Sequence, residues 1–273
     1  MIPKIIHYCW FGGNPLPEIA KKSIDSWKKF LPDYEIREWN ESNYDVKKNT
    51  YIKQAYEAKK YAFVSDYARF DILYQYGGIY FDTDVEVIKS LDKLLENGSF
   101  LALEAPGAIN AGLGMASPAE TEIFKEILDL YSNELFIKED GSYNYKTVVT
   151  RVSELFKKYG LDSRNEMQSI RGVTIYPTEY FSPKDISTGI IKITGKTYTI
   201  HHYDGSWVSD ENRLMMAVSQ RTRRIFGKGK ASDILIKLAQ NTILRSYSIL
   251  KRIKEKGFKS LMKFYLNKYI LRK

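Results

Sequence analysis

Short apolar segments alternate with longer amphipathic stretches through the first 130 residues, and this alternation restricts the possible folds more than any other feature of the chain. The strand-like segments are PKIIHYCWFGG, DYEIREWN, GGIYFD and SFLALE. The helix-like stretches run from Pro17 to about Trp27, over 50–76, near 90–96 and from Pro118. Strands that alternate with helices in this way predict an α/β layered fold.

Length and charge divide the chain into a main domain and a tail. A chain of 273 residues suits one large domain with an appendage. Residues 221–273 contain 16 Lys and Arg against two acidic residues, a net charge of +14 within an overall +9, so residues 1–220 carry −5. We therefore predict a domain over residues 1–225 and a basic helical tail over 226–273, with a polyanionic partner for the tail.

Apolar residues in the tail recur at helical spacing, with Lys and Arg on the other face. They lie at positions 236, 239, 243, 247, 250 and 253, and again at 258, 261, 262, 265, 266, 269 and 270. One interpretation is a helical hairpin that packs on the main domain; the other is a pair of interfacial helices on anionic lipid. The one-sided basic excess favours an anionic membrane surface as the partner of residues 231–273.

A second class of protein, a nucleic-acid-binding protein, is suggested by the sequence pI of about 9.2. The positive charge is confined to the tail, however, and no base-reading or stacking motif accompanies it. We therefore expect no nucleic-acid partner.

The start of the chain and its cysteine content predict a cytoplasmic location. MIPKIIHYCWFGG lacks a charged leader and a cleavage site, and no apolar run approaches about 18 residues. Cys9 is the only cysteine, so an intrachain disulfide framework is excluded. With the basic tail, these features predict a peripheral protein on the inner face of the cell membrane.

The segment GGIYFDTDVEV ends an apolar strand-like run with two aspartates, Asp82 and Asp84. Residues i and i+2 of a strand point to the same side, and two carboxylates there suit Mg²⁺ or Mn²⁺. A solvated strand end is the alternative interpretation. A phosphatase-type nucleophile is a third, but Glu86 stands where its companion threonine is expected.

A second polar pair lies on the helix-like stretch just before this strand. In SDYAR, Asp66 and Arg69 are three residues apart and so share one helix face. Arginine is suited to hold a carboxylate or a sugar hydroxyl, and aspartate accepts hydrogen bonds from hydroxyls. The alternative is an ordinary ion pair within the helix.

Several segments, taken together and in order, resemble a known family. IPKIIHYCWFGG, SW, DYEIREWN, YAFVSDYARFDILYQYGGIYFDTDVEV and IHHYDGSW resemble the DXD-containing sugar transferases of glycosyltransferase family 32. That family includes bacterial capsular and exopolysaccharide enzymes and is related to the catalytic domain of the large clostridial glucosylating toxins. The resemblance covers roughly residues 1–210 and leaves the tail outside.

The resemblance implies a GT-A-like fold, with a Rossmann-like nucleotide-sugar-binding half, followed here by a C-terminal helical appendage. It also implies a retaining hexosyltransferase that moves a sugar from a nucleotide sugar, usually UDP-linked, to a saccharide or lipid-linked saccharide acceptor. In that family Asp82 and Asp84 would hold Mn²⁺ or Mg²⁺, and Asp66 and Arg69 would contact the donor sugar. Trp10 would lie near the base.

The motif HHYDGSW supplies further expectations from the resemblance. Ser206 and Trp207 would contact the diphosphate and the leaving oxygen, and a histidine just before them would complete the metal shell. Only one of His201 and His202 can face the site if they lie on a strand, and we expect it to be His202. A histidine ligand would favour Mn²⁺ over Mg²⁺. Structural roles for both histidines remain the alternative.

The loop EAPGAINAGLGMASP is rich in glycine and alanine, which allows its backbone to approach a ligand closely. Asn110 is its candidate polar contact to the donor, and a flexible linker is the alternative. Glu86 is interpreted as a strand-face residue beside the site, and His7 as a core residue that supports the pocket.

The chemistry expected of such a site is the departure of a nucleoside diphosphate. A metal between the phosphates would stabilise the developing negative charge, and nearby carboxylates would favour an oxocarbenium-like sugar. An internal-return route, in which the acceptor attacks from the leaving-group face, is favoured over a covalent route, which stays open. A metal-dependent phosphohydrolase that uses the same aspartates is the alternative function.

Overall fold

The computed structural model describes residues 1–205 and 210–256, with side chains described over 1–205 and 211–243. The strands are β1 Ile5–Cys9, β2 Glu35–Trp39, β3 Gly78–Tyr80, β4 Val85–Val87, β5 Phe100–Ala105, β6 Ala108–Ile109, β7 Met115–Ser117, β8 Gln168–Ile170, β9 Val173–Tyr176 and β10 Thr199–His201. The helices are α1 Glu18–Phe30, α2 Thr50–Glu57, α3 Tyr61–Tyr76, α4 Asp92–Leu95, α5 Glu122–Asp129, α6 Val148–Lys158, α7 Thr178–Phe181, α8 Asp210–Phe226 and α9 Lys230–Lys256.

A central mixed sheet has the strand order β2-β1-β3-β7-β5-β9-β8, with β6 paired to β5. The pairs β1–β2, β1–β3 and β5–β9 are parallel, whereas β7 runs antiparallel to both β3 and β5. Strands β4 and β10 form a separate antiparallel pair. The predicted α/β fold class is therefore confirmed.

Five strands, β1, β2, β3, β5 and β9, run in the same direction, so their carboxyl ends meet at one edge of the sheet, here called the carboxyl edge. In open α/β sheets, ligands bind in the crevice beyond this edge. The residues that follow β1 and β3 are Trp10 and Phe81, with the two aspartates next along the chain. The antiparallel strand β7 begins at the same edge, so the loop before Met115 also enters there.

Two consecutive glycines turn the chain from α3 into β3. Gly77 and Gly78 have φ values of 63° and 104°, a region that favours glycine. A Cβ atom at Gly78 would lie 2.6 Å from the carbonyl oxygen of Ile5 on the neighbouring strand. The turn therefore allows β3 to pair closely with β1. It also connects the end of α3 to the sheet without an intervening loop.

The core lies on both faces of the sheet. One cluster packs α3 against α5 and α6 through buried side chains that include Phe70, Phe124 and Phe156. The other packs α1 against the opposite face through Trp27 and Phe81. Because α3 is buried along most of its length, the polar residues that it carries are held at fixed positions beside the sheet.

Several element boundaries differ from the sequence expectation. The stretch 50–76, expected to be helical in one or two pieces, forms two helices that are separated at Lys59, whose φ is 57°. The helix expected from Pro118 begins at Glu122. The sequence patterns do not predict strand β4, which is only three residues long, or helix α8, which lies almost entirely within the predicted domain of residues 1–225.

The chain divides into two compact units: residues 1–184 with 191–207, and residues 185–190 with 208–273. The predicted boundary at residue 225 therefore differs from the observed division. In the second unit, Arg223 pairs with Asp233, and Lys228 pairs with Asp185 at 2.7 Å.

The first predicted stripe of the tail coincides with α9, in which Ile236 is buried and Leu238 is exposed. The second stripe, from 258 onward, lies outside the described residues. None of the helices in the described ranges combines the length and apolarity that crossing a bilayer requires.

Candidate functional site

Arg69 joins the helix α3 to the chain segment that follows β3. Its Nη2 atom lies 3.2 Å from Oδ1 of Asp66, one turn earlier on α3, and 3.1 Å from Oδ1 of Asp82. Its Nε–H donates to the carbonyl oxygen of Ser65 at 3.1 Å, which fixes the plane of the guanidinium group. The two predicted residue pairs are thus joined through one arginine.

This arginine is buried, and its partners become progressively more exposed. The side chains of Arg69, Asp66 and Asp82 are 5%, 14% and 28% exposed. The Arg69 guanidinium also lies over the ring of Tyr80, 5.1 Å from its centroid, and the Tyr80 hydroxyl donates to Oδ1 of Asp82 at 3.2 Å. Of the three side chains Arg69, Asp66 and Asp82, that of Asp82 is therefore the most exposed to solvent.

Burial and charge set the protonation of these groups. Burial raises the pKa of Asp66 to about 6, against the opposing effect of Arg69. Burial also disfavours the charge on Arg69, but Asp82 and Asp66 more than compensate and raise its pKa above the usual value. Arg69 remains a cation between two carboxyl groups, of which Asp66 titrates near the physiological range.

Asp82 and Asp84 lie in a turn between β3 and β4, here called the aspartate turn. Strand β3 ends at Tyr80, and the amide of Val85 donates to the carbonyl oxygen of Asp82 at 3.1 Å. The expectation that the aspartates continue a strand, and that strand alternation aligns their side chains, is wrong. The backbone turns here because β4 leaves the central sheet to pair with β10.

His201 is the histidine beside Asp84. Its Nε2 atom lies 2.9 Å from Oδ1 of Asp84, and the amide of Asp204 donates to Oδ2 at 2.8 Å. Burial disfavours ionisation of Asp84, but the His201 ring and the N–H donors outweigh it and lower its pKa to about 2. Burial opposes protonation of the His201 ring, but the negative charge of Asp84 outweighs this effect. The pKa of His201 is therefore raised.

His202 faces the other way and contacts Glu86 through Nε2 at 2.9 Å. In the register of β4 with β10, Ile200 lies opposite Glu86 and His201 opposite Val85. The alternation of side chains therefore directs His202 to the Glu86 side. The contacts of His201 with Asp84 and of His202 with Glu86 correct the expectation that His202, rather than His201, faces the aspartate pair.

The loop before β7 closes over the aspartate turn. Asn110 accepts from the amide of Gly112 at 2.7 Å and donates to Oε2 of Glu104 at 2.8 Å. The carbonyl oxygen of Gly112 accepts from the amide of Asp82 at 3.0 Å. A Cβ atom at Gly112 would lie only 1.9 Å from Oδ2 of Asp82, so a side chain at this position would displace the Asp82 carboxylate.

Trp10 follows β1 at the same carboxyl edge as the aspartate turn. Its Nε1–H donates to the carbonyl oxygen of Asn14 at 2.6 Å, and its ring is partly buried. The same loop approaches α3, because a Cβ atom at Gly12 would lie 2.4 Å from the ring of Tyr61. The structure thus brings the loop of Trp10 to the start of the helix that carries Asp66. Ser206 and Trp207 lie outside the described residues.

The oxygen ligands present suit a hard divalent cation that brings further ligands with its substrate. Asp82 and Asp84 provide two carboxylates, and Mg²⁺ sites commonly use one or two carboxylates together with substrate phosphates and water. Within the described residues, no group of three or more His, Cys, Asp or Glu side chains is arranged to hold a metal. The two carboxylates of the aspartate turn fit a hard divalent cation whose other ligands come from substrate and water.

Sequence reasoning missed three contributors to this site. Gly112 provides the close approach to Asp82, Glu104 anchors Asn110, and Tyr80 supports Arg69. The abundance of glycine in the loop identified the segment but did not single out Gly112. Its role depends on which backbone position lies against Asp82, and the sequence does not show this. Tyr80 lies within the apolar run that predicts a strand, and no sequence pattern indicates its contact with Arg69.

Comparison with known proteins shows that a known family matches the part of the chain that contains these residues. Residues 17–101 match the family described as "Glycosyltransferase sugar-binding region containing DXD motif". The matched segment includes Asp66, Arg69 and both residues of the aspartate pair, although it spans less than half of the chain. The predicted glycosyltransferase class of this region is confirmed.

Curated relatives match a longer part of the chain than the family does. "Inositol phosphoceramide mannosyltransferase 1" from Schizosaccharomyces pombe is 28% identical over 173 residues, 58% of this chain and 50% of the relative. "Lactosylceramide 4-alpha-galactosyltransferase" from Rattus norvegicus is 27% identical over 183 residues, 56% of this chain and 45% of the relative. The chain thus spans about half the length of these relatives. Neither name refers to capsular polysaccharide, the context that the resemblance implied.

A solved structure, "PaToxG Glycosyltransferase", overlaps with 57% of this chain and 70% of its own, at a TM-score of 0.46 and 22% identity. The α/β class of the present chain rests on its own strand order and register.

Proposed function

We propose that this chain is a metal-dependent, retaining glycosyltransferase that moves a hexose from a nucleotide sugar to a hydroxyl group of a saccharide or lipid-linked saccharide. The observation that carries the proposal is the buried cation Arg69, which contacts Asp66 and the aspartate turn at once. Such an arrangement at the carboxyl edge of an α/β sheet suits a ligand with sugar hydroxyls at one end and a diphosphate at the other.

The aspartate turn would hold the metal through Asp82 and Asp84. A bound Mn²⁺ or Mg²⁺ would supply positive charge beside the diphosphate as it departs. The chain itself keeps Asp84 ionised, since its pKa is lowered to about 2, and positions its carboxylate through His201. No histidine ligand is included in the proposal, and the choice between the two metals is left to the experiment.

Arg69 and Asp66 would bind the donor sugar. Asp66 can accept hydrogen bonds from sugar hydroxyls, and its negative charge would favour positive charge at the anomeric carbon. Arg69 holds Asp66 and Asp82 in fixed positions, so that the two ends of the donor are aligned with each other. Asn110 would form one wall of the site, and Trp10 would stack on the nucleotide base.

Retention of configuration is proposed to follow an internal-return route. The acceptor would attack from the face that the diphosphate leaves, and the departing phosphate oxygen would take the hydroxyl proton. Asp66 and Asp82 both pair with Arg69 in the free protein, which favours this route over a covalent one.

The acceptor is proposed to be a glycan attached to a lipid, at a membrane surface. Both curated relatives named above have ceramide in their names, which favours a lipid-linked acceptor over a free capsular polysaccharide. The basic excess of residues 221–273 supports a peripheral position on an anionic membrane surface, with the cytoplasmic face as the proposed side.

The proposal is tested by a screen of UDP- and GDP-sugars for donor hydrolysis, with Mn²⁺ and with Mg²⁺. We expect one donor to be hydrolysed in a metal-dependent way. The variant Asp84→Asn should lose at least about a hundredfold in turnover, because it removes a negative charge from the aspartate turn while keeping the shape of the side chain.

Asp33→Asn is the matched control, since Asp33 is an exposed residue that pairs with Lys4 at the start of β1 and β2, at the opposite edge of the sheet from the aspartate turn. Metal-dependent turnover of Asp84→Asn at the wild-type rate would contradict the proposal. Release of free phosphate without sugar transfer to any acceptor would instead support a phosphohydrolase.

A further inference from the structure

A hairpin between α5 and α6 presents two tyrosine rings at the surface. Ile137 pairs antiparallel with Tyr143, and the amide of Lys138 donates to the carbonyl oxygen of Ser142 at 2.8 Å. Tyr143 and Tyr145 are 36% and 57% exposed. Their rings are perpendicular, with centroids 5.8 Å apart and an interplanar angle of 88°. We call these two rings the aromatic platform.

Buried aromatic rings support the platform from below. Tyr143 stacks on Phe136, which is fully buried, with centroids 5.3 Å apart and an angle of 20°. Tyr145 packs against Phe63 of α3 at 5.8 Å. Phe136 covers one face of Tyr143 and the Lys60 ammonium lies over the same ring, so Tyr145, the more exposed of the two, offers the larger surface to a ligand.

Polar contacts hold the hairpin in one conformation. The side chain of Gln54 accepts from the amides of Phe136 and Ile137 at 2.9 and 3.0 Å. Asn144 donates to Oε2 of Glu134 at 3.0 Å, and Glu134 also pairs with the buried guanidinium of Arg151. Rings that are ordered before binding lose little conformational entropy when a ligand arrives.

Two neighbours of the aromatic platform, Phe63 and Val148, connect it to Asp66. Phe63, which contacts Tyr145, lies one turn before Asp66 on α3. Three residues after Tyr145, the amide of Val148 at the start of α6 donates to Oδ2 of Asp66 at 3.2 Å. A molecule that rests on the platform would therefore lie next to the residue proposed to bind the donor sugar.

We propose that the aromatic platform binds a hexose ring of the acceptor. This inference rests on the proposed function, since it assigns the acceptor side of the same site. The C–H groups on one face of a hexose carry partial positive charge and stack on the negative face of an aromatic ring. The ammonium of Lys60 lies over the Tyr143 ring, 5.8 Å from its centroid, and with the tyrosine hydroxyls it provides polar groups for the sugar hydroxyls.

A hexose fits this surface better than a lipid chain does. The two rings form a corner that can hold one face and one edge of a small rigid ring. A purely aliphatic ligand would make no use of the tyrosine hydroxyls or the Lys60 ammonium, whereas sugar hydroxyls can form hydrogen bonds with them. The same hexose chemistry can come from a free oligosaccharide or from the headgroup of a glycolipid.

The test measures saccharide binding on a printed array of hexose oligosaccharides and, in parallel, on the same headgroups displayed as glycolipids in neutral vesicles. We expect the wild-type protein to bind at least one headgroup. Tyr145→Ala should weaken that binding by about five- to tenfold, in line with the loss of one stacked ring. Tyr145→Phe, which keeps the ring, should stay within about twofold of the wild type.

Tyr159→Ala is the matched control, because Tyr159 is a similarly exposed tyrosine whose hydroxyl donates to Glu126 away from the platform. Thermal melting confirms that each variant is folded, and Tyr143→Ala provides a second test. Wild-type affinity in both alanine variants, or no headgroup bound by the wild type in either arm, would overturn the inference. Donor hydrolysis by the wild-type protein reports separately on the proposed function.

Discussion

At the scale of single residues, Arg69 determines how the candidate site is organised. A buried guanidinium needs carboxylate partners and hydrogen-bond acceptors, and here it has Asp66, Asp82 and the carbonyl oxygen of Ser65. Because these partners lie on both the helix and the aspartate turn, a change at Arg69 alters the alignment of both. Arginine is favoured over lysine since its planar group has several N–H donors in fixed directions.

We therefore expect Arg69→Lys to retain the buried charge but to lose the anchoring contact with Ser65. Sugar transfer or donor hydrolysis should fall by about a hundredfold, whereas UDP binding should change by less than about threefold. Steady-state kinetics and calorimetric titration with UDP measure the two effects.

Arg37→Lys is a suitable control, because Arg37 forms an exposed pair with Glu35 on β2. An unchanged rate in Arg69→Lys, or an equal loss of UDP affinity, would remove Arg69 from the donor-sugar site.

At the scale of elements, the contact of β1 with β3 depends on a buried neutral histidine. His7 on β1 donates from Nε2 to the carbonyl oxygen of Gly77 at 2.9 Å, and its Nδ1 accepts from Nε1–H of Trp39 at 3.0 Å. These contacts assign one neutral tautomer. A proton on Nδ1 would place two donors against each other, and burial lowers the pKa of His7 to about 4. The structural role expected for His7 agrees with this geometry.

The lowered pKa predicts a loss of stability at acidic pH. The unfolded chain takes up the His7 proton near pH 6.5, whereas the folded chain resists it until about pH 4. The stabilisation is thus complete above pH 6.5 and decreases by about 3 kcal/mol as the pH falls to 4. Urea denaturation at several pH values should show this slope in the wild type and a reduced slope in His7→Gln, which cannot titrate. Equal slopes in the two proteins would contradict the assignment.

At the scale of the whole molecule, charge separates the tail from the main domain. Residues 221–273 carry +14 and residues 1–220 carry −5. Part of the basic charge is neutralised within the second compact unit, where Arg223 and Lys228 have acidic partners. Beyond residue 233 only one acidic residue remains in the sequence, so the excess lies in the final segment.

Deleting residues 231–273 should therefore weaken binding to vesicles that contain phosphatidylserine by at least about tenfold, since each basic residue near an anionic surface contributes about 1 kcal/mol. Sedimentation with anionic and with neutral vesicles measures the effect, and donor hydrolysis checks the remaining domain. Undiminished vesicle binding would exclude the tail as the membrane contact. An equal loss of DNA binding would instead indicate a general polyanion-binding segment.

Local patterns in the sequence were sufficient to predict the α/β class and most of the helices in the main domain, and they single out the Asp66–Arg69 and Asp82–Asp84 pairs as candidate site residues. These features depend on interactions over a few residues: amphipathic periodicity, a helical spacing of three, and a glycine turn at Gly77. The conformation of the aspartate turn was not predicted, because β4 is stabilised by pairing with β10 rather than by its own three residues.

Tertiary structure alone decided which histidine contacts Asp84 and which glycine leaves space for the carboxylate of Asp82. His201 and Asp84 are 117 residues apart, and a shift of one residue in the register of β4 with β10 would have brought His202 there instead. Gly112 is one of several glycines in its loop, and its importance follows from the position of Oδ2 of Asp82. The sequence determined which chemical groups the site contains; contacts between distant segments determined how they are arranged, because strand register and close backbone approach are not local properties of the chain.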